Sequence, residues 1–233
     1  LRLDQPGDPQ RRSREQVRDR LQRFRGRWQV AYVQFLVNTG RHRQAQQLIA
    51  RVRLLPGEAG TRAELSFLQG LVEEFAGRMA PEAVVRSANW STVPTSRLRG
   101  IGMRLDEAQR AYRRALEAVS SHQEARLHLG RVELERKRPA DAIRTLANLR
   151  VTPCRAVLCG LAWLFTGESH EATGDWGAAS TAYAQASTVQ ALRQSALVAL
   201  MQVALRRDAP TSTCATKACG IPSKRFATMR PPT

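Results

Sequence analysis

The sequence predicts an all-α protein built from tandem helical hairpins. Alanine, leucine, arginine and glutamine dominate the 233 residues, only 6% are aromatic, and runs of β-branched residues are scarce, which is a helix-forming composition. Small residues also recur with a period close to the length of two short helices and their turns. We therefore expect hairpins that each bury one face against the next.

The clearest hairpin lies within residues 163–191. Gly167 and Ala179 are small at the places where two antiparallel helices would cross closely. Gly174 stands between them, where the first helix must end with a positive φ that is cheap only for glycine. The residues spaced to fill the seam between the two helices are Trp163, Tyr183 and Ala186.

Two further hairpins repeat this spacing. In one, Gly130 and Ala142 stand 37 residues before their counterparts, although Lys137 replaces the turn glycine. In the other, Gly40 supplies the turn. The second helices of these hairpins carry residues at the spacing of Ala179, Tyr183 and Ala186. They are Leu146 and Leu149 in the first, besides Ala142, and Ala45, Ile49 and Val52 in the other.

A fourth hairpin is interrupted. Its first helix covers residues 63–77 and has Gly70 as the small crossing residue, but Gly70 lies 60 residues before Gly130, 26 more than a 34-residue period. We interpret the surplus, about residues 80–104, as a mobile, protease-sensitive insertion between the two helices. A degenerate helix over residues 89–103 is the alternative, which Pro94 disfavours. The second helix carries Ala108, Tyr112 and Ala115.

The two ends of the chain differ from the repeats, which we assign to residues 26–207. Residues 1–25 form a basic segment with an apolar stripe at helical spacing, so we expect a capping helix with a solvated basic face. The stripe consists of Val17, Leu21, Phe24 and Trp28.

At the C-terminus, residues 193–207 fit the first helix of a fifth hairpin, but the marks of a second helix do not follow. Residues 208–233 contain four prolines and no helical period, so we expect a disordered tail. The outer face of the last helix would then stay partly apolar, which predicts either self-association through this helix or the docking of a partner.

The spacing of small, bulky and turn residues within residues 160–193 resembles that of a tetratricopeptide repeat (TPR), and the resemblance extends more weakly over residues 26–207. It implies a right-handed superhelical solenoid of antiparallel helical hairpins. It also implies a non-catalytic scaffold that binds a partner protein or peptide on a concave face lined by the first helix of each hairpin.

The candidate binding residues follow from that frame. Offsets of 3, 4 and 3 residues keep side chains on one side of a helix, and the positions selected in this way are apolar with alternating charges. Such a surface suits an amphipathic or extended peptide. The candidate residues are Gln34, Val37, Leu127, Arg131, Leu134, Leu164, Glu168 and Glu171.

The formal net charge of +17 suggests an alternative function, the binding of nucleic acid or another polyanion. However, 34 of the 37 basic residues are arginine, a bias that is typical of a GC-rich bacterial genome. The arginines are also spread along the chain instead of being gathered on one stripe between aromatic residues. We therefore rank nucleic-acid binding below protein binding.

The sequence has no recognisable catalytic, metal-binding or cofactor motif. His170 and Glu171 match the start of the zinc-protease motif His-Glu-x-x-His, but Gly174 stands where the second histidine is needed. The two cysteine pairs lack the Cys-x-x-Cys spacing of zinc sites, and we expect Cys154 and Cys159 to be small buried residues. We expect neither enzyme activity nor a cofactor.

No apolar run reaches the ~18–20 residues that a membrane-spanning helix needs, so we expect no membrane insertion. The cytoplasm is the favoured compartment. The periplasm and secretion stay open, because any leader before Leu1 would lie outside this sequence.

Overall fold

The structure, a computed structural model, describes residue 16 and residues 26–53, 58–85, 95–151 and 155–208. These residues form α-helices joined by short turns and contain no strand, which confirms the all-α class. The α-helices are α1 (26–38), α2 (His42–Val52), α3 (Ala59–Val85), α4 (Thr95–Ala118), α5 (Gln123–Glu135), α6 (Pro139–Val151), α7 (Ala156–Thr173), α8 (Trp176–Ser187) and α9 (Arg193–Asp208).

The turns after α1 and α7 end on glycines with positive φ, as the sequence predicts. Gly40 has φ +74° and Gly174 has φ +79°. At the second of these turns, the amide of Gly174 donates to the carbonyl of Glu171 and the amide of Asp175 donates to that of His170. These bonds satisfy carbonyls at the end of α7 that would otherwise lack a partner.

The turn after α5 has the same shape without a glycine. Lys137 has φ +61°, and the amide of Arg138 donates to the carbonyl of Glu133. Lysine in this left-handed conformation carries a steric cost because of its Cβ. The sequence pattern thus located the turn correctly, although this hairpin lacks the favoured residue.

Each predicted crossing glycine lies directly under a bulky side chain of the partner helix. A Cβ at Gly70 would lie less than 3.0 Å from the ring of Tyr112, and one at Gly167 equally close to the ring of Tyr183. A Cβ at Gly130 would meet the side chain of Leu146 in the same way. The predicted pairing of small and bulky residues is therefore present in three hairpins.

The first hairpin follows the same frame with a larger residue. Val33 lies seven residues before Gly40, as Gly167 lies seven before Gly174, and its side chain is completely buried. The predicted seam positions of the second helices are buried in all four hairpins. They are Ala45, Ile49 and Val52; Ala108, Tyr112 and Ala115; Ala142, Leu146 and Leu149; and Ala179, Tyr183 and Ala186.

Most helix contacts join neighbours in sequence. Each helix from α3 to α8 packs against the next one, and α5 also touches α3 and α7, the first helices of the adjoining hairpins. The core is accordingly a series of clusters between successive helices. One cluster, for example, joins Leu146 and Leu149 of α6 to Ala162 of α7.

The surplus of residues in the interrupted hairpin lengthens its two helices. Helix α3 continues to Val85 and α4 begins at Thr95, so residues 80–85 and 95–104 are helical, which corrects the expectation of an irregular insertion there. The two long helices pack extensively against each other, and this contact offsets the weak helix propensity of Pro81 and of their glycines. Residues 86–94 lie outside the described residues.

The chain ends were predicted in part. Helix α9 (Arg193–Asp208) occupies the place predicted for a last helix, and Met201 and Leu205 on its outer face are 67% and 72% exposed. The capping helix within residues 1–25 and the tail at 209–233 lie outside the described residues, except that residue 16 is helical.

Cys159 corrects a further expectation. It is half-buried and disulfide-bonded, so it is not a simple buried thiol. Cys154 lies outside the described residues.

Candidate functional site: the face of the first helices

The apolar members of the predicted site are mostly used inside the protein. Leu127 is only 4% exposed and packs against Leu146 and Leu149, so it cannot contact a partner, and its assignment as a binding residue is wrong. Leu164 is half-buried against the cluster that contains Tyr183. In the short α5–α6 hairpin, Leu127 lies near the crossing residue Gly130 and closes the seam between the two helices.

Two further members belong to the first hairpin. Val37 is partly buried against the large core cluster. The side-chain amide of Gln34 donates to Asn38 one turn later on α1, at 2.8 Å. Leu134 on α5 is half-buried. These three residues offer small, separate areas of surface.

The charged members, in contrast, are brought together. The guanidinium of Arg131 on α5 lies 3.5 Å from the carboxylate of Glu135 and 4.0 Å from that of Glu74 on α3. It also lies over the ring of Phe165 on α7, 5.4 Å from the ring centre. Arg131 therefore connects three first helices, and its position over an aromatic ring restricts its motion.

Glu171 connects α7 to the two helices that follow. The hydroxyl of Tyr183 on α8 donates to one carboxylate oxygen at 2.7 Å, and Arg206 on α9 lies 3.1 Å from the other. The side chain of Glu171 is only 15% exposed. Burial and this hydrogen bond raise the pKa of Tyr183, which therefore stays protonated and keeps donating.

Glu168 lies between Arg131 and Glu171, and its surroundings are less favourable to an ionised carboxylate. Desolvation by the surrounding protein raises the pKa of Glu168, although the residue remains accessible to solvent. Arg131 lowers the pKa, but Glu171 and Glu135 raise it further. The carboxylate of Glu168 is thus ionised only at a cost, and a further cation next to it would remove that cost.

We call this arrangement the ionic face. It contains four carboxylates and two guanidinium groups and runs from α3 across α5 and α7 to α9. In a chain with a net charge of +17, it gathers carboxylates on neighbouring first helices. Its members are Glu74, Arg131, Glu135, Glu168, Glu171 and Arg206.

Glu74, Glu135 and Arg206 of the ionic face were not predicted from the sequence, and Glu74 is the one for which a signal can be found. It is buried, accepts a 2.5 Å hydrogen bond from the hydroxyl of Tyr112, and lies 2.9 Å from His128 Nδ1. A signal existed in the sequence, because Glu74 follows Gly70 by four residues as Glu171 follows Gly167. In both hairpins, the tyrosine covers the glycine and its hydroxyl reaches the glutamate one turn later.

Three exposed arginines of the second helices lie elsewhere and have acidic partners. Arg110 pairs with Glu107 on α4, and Arg144 pairs with Asp141 on α6. Arg113, which is about half exposed, lies 3.6 Å from the buried Glu133. These arginines are therefore partly neutralised.

A separate groove of about 650 Å³ lies beside the start of α2. The ring of His42 stacks on that of Phe75, with 4.0 Å between the ring centres, and burial lowers the pKa of His42. Glu73 is buried beside the groove, where it binds Arg104 and Gln46. The groove thus combines an aromatic wall with arginines, and sequence reasoning gave no sign of it.

Among the residues that the structure covers, no group of three or more histidine, cysteine, aspartate or glutamate side chains could hold a metal ion. None of the helices in that part of the chain combines the length and the apolar character needed to cross a membrane. Comparison with protein-family models and with curated protein sequences finds no match to this chain.

Proposed function

We propose that this chain is a non-catalytic scaffold of TPR-like hairpins, stacked as a right-handed solenoid, and that it binds a partner protein or peptide on the ionic face. The recurring pairs of crossing glycine and bulky residue support the repeat assignment, since they occur at the spacing that resembles the TPR. Helical repeats of this kind expose a long surface lined by corresponding helices.

The observation that carries the proposal is the ionic face itself. Carboxylates from three consecutive first helices lie next to one another, and Glu168 among them is exposed to solvent. Desolvation and the neighbouring carboxylates of Glu171 and Glu135 raise the pKa of Glu168. This environment favours a ligand that brings positive charge to Glu168.

The partner segment that fits this surface is basic. A lysine or arginine side chain placed beside the exposed Glu168 would stabilise its ionised carboxylate, and Phe165 offers an adjacent apolar contact. The positive charge of the rest of the chain does not prevent this, because charges beyond about 8 Å are largely screened at physiological ionic strength.

The proposal can be tested by selecting short random peptides that bind to the immobilised full chain. We expect the selected peptides to be enriched in lysine and arginine and to lose most of their affinity for a Glu168→Lys variant. Arg144→Glu, which changes an exposed charge on α6, is the matched control and should leave binding intact. Enrichment of acidic peptides, or equal binding to both variants, would contradict the proposal.

The alternative function, nucleic-acid or polyanion binding, rests on the net charge of +17. It is tested with duplex DNA and RNA over a salt series. Tight binding at moderate salt with a steep dependence on salt concentration, weakened by Arg144→Glu and strengthened by Glu168→Lys, would replace the proposal above with this one.

A further inference from the structure

The outer face of α1 carries an apolar groove at the start of the row of hairpins. The groove has a volume of about 510 Å³ and is lined by Arg27, Trp28, Ala31, Tyr32 and Phe35. Trp28 is 65% exposed and Phe35 is 51% exposed, while the rings of Tyr32 and Phe35 are stacked 6.3 Å apart.

The corresponding face of the first helix is buried in the other hairpins. We call the residues five before and two after the crossing residue the rear positions. Val33 takes the crossing position on α1, and Met201, 34 residues after Gly167, takes it on α9. In the four later first helices, all rear positions are at most 3% exposed. They are Leu65 and Val72 on α3, Ala125 and Val132 on α5, Ala162 and Ser169 on α7, and Ala196 and Val203 on α9.

A helix covers the rear positions in the later hairpins. Ala162 packs against Leu146 and Leu149 of α6, and Val203 packs against Ala179 and Tyr183 of α8. The covering helix is each time the second helix of the preceding hairpin. On α1 the rear positions are Trp28 and Phe35, so the groove has the geometry that elsewhere receives a helix.

The spacing of the exposed residues also suits a helix. Trp28, Ala31 and Phe35 are three and four residues apart, the spacing of the apolar seam between two packed helices. The inner face of α1, with Val33 and Leu36, is already buried in the core. A helix that is apolar on two opposite faces normally has both faces covered.

The charge around the groove decides which helix fits. Arg27 is the charged residue among those that the structure describes along the groove, and the chain as a whole has a net charge of +17. A second copy placed here through the same face would bring like charges together. The other exposed apolar face, on α9, is also flanked by arginines, namely Arg193, Arg206 and Arg207, so head-to-tail association meets the same repulsion.

We propose that the groove on α1 is a second binding site, which takes an amphipathic helix of a partner protein with glutamate or aspartate beside its apolar seam. The site is distinct from the ionic face and takes a ligand of opposite charge. The partner helix would cover the rear positions of α1, as the second helix of the preceding hairpin covers those of the later first helices.

The test uses a library of helical peptides with a fixed apolar seam and flanking positions randomised among glutamate, glutamine and lysine. The peptides are selected on the full chain, and we expect enrichment of glutamate. Replacing both Trp28→Ser and Phe35→Ser should weaken binding about thirtyfold or more, because central aromatic contacts dominate such interfaces. The exposed change Leu205→Ser on α9 is the matched control and should leave binding unchanged.

The other outcomes each overturn the proposal. No enrichment, or enrichment of lysine, would mean that the groove is covered by the chain itself or prefers another ligand. A dimer by light scattering that the Trp28→Ser/Phe35→Ser variant converts to a monomer would identify a second copy as the occupant. Because the Glu168→Lys variant keeps this groove, failure here and failure of the proposed function are distinguishable.

Discussion

At the scale of single residues, the fold depends on glycines that let helices approach and on tyrosines that fill the space above them. Gly70 and Gly167 lie under the rings of Tyr112 and Tyr183, and each tyrosine hydroxyl also satisfies a carboxylate on the first helix. Because a phenol ring is rigid, it cannot move aside for an added methyl group as a flexible side chain can.

We expect Gly167→Ala to lower the free energy of unfolding by about 1–3 kcal/mol, because its Cβ would overlap the Tyr183 ring. Gly177→Ala on α8 is the matched control. Its Cβ would make only an ordinary contact, 3.8 Å from the side-chain Oδ1 of Asp175, so better helix propensity should raise stability by up to about 1 kcal/mol. Urea denaturation of both variants measures the difference. Equal effects of the two substitutions would contradict the crossing geometry.

The pH dependence of stability tests the environment of Glu168. Its pKa is raised in the folded protein, chiefly by desolvation, so folding favours the protonated form, and stability is lost as pH rises through the folded-state pKa. The Glu168→Gln variant has no carboxyl group to ionise at this position, so it does not lose stability in this way. We expect the variant to exceed the wild type in Tm at pH 7, and the gain to shrink below the ordinary glutamate pKa. A gain that does not vary with pH would refute this.

At the scale of elements, local spacing predicted the hairpins well and their lengths poorly. A crossing glycine, a turn and a bulky residue lie within one hairpin, so the pattern around Gly167 could be read directly from the sequence. The lengths of α3 and α4 depend on mutual packing, which outweighs the helix-breaking tendency of Pro81 and Gly100.

The ionic face was only partly predictable for a related reason. Its members are carried by α3, α5, α7 and α9 and meet through tertiary contacts, so sequence spacing identified Arg131, Glu168 and Glu171 but not Glu74. Leu127 was misassigned because an offset along a helix cannot distinguish a side chain at the surface from one that closes the seam below it.

The α5–α6 turn provides a prediction at this scale. Lys137 adopts φ +61°, where glycine carries no Cβ penalty. We expect Lys137→Gly to raise the free energy of unfolding by up to about 1 kcal/mol, since helices favour glycine at this position. Arg138→Gly, one residue later, is the control and should not give this gain, because Arg138 does not have a positive φ. Thermal melting of both variants checks the expectation, and a destabilising Lys137→Gly would contradict the observed turn.

At the scale of the whole molecule, charge is divided between surfaces. Arginines dominate the charged residues, but the first helices gather carboxylates, and the outer face of α1 combines aromatic rings with Arg27. The two proposed sites therefore take ligands of opposite charge. A chain with such a division can hold two partners at once without competition between them.

The most direct test of the proposed binding face is a reciprocal exchange of charge. A basic peptide selected on the full chain is titrated by calorimetry into the wild type and into Glu168→Lys, and the titrations are repeated with a peptide in which one lysine is changed to glutamate. We expect each single change to weaken binding at least about tenfold and the two together to restore most of the affinity. If changing a lysine of the peptide to glutamate never restores binding to the Glu168→Lys variant, whichever lysine is changed, the ionic face is not where the peptide binds.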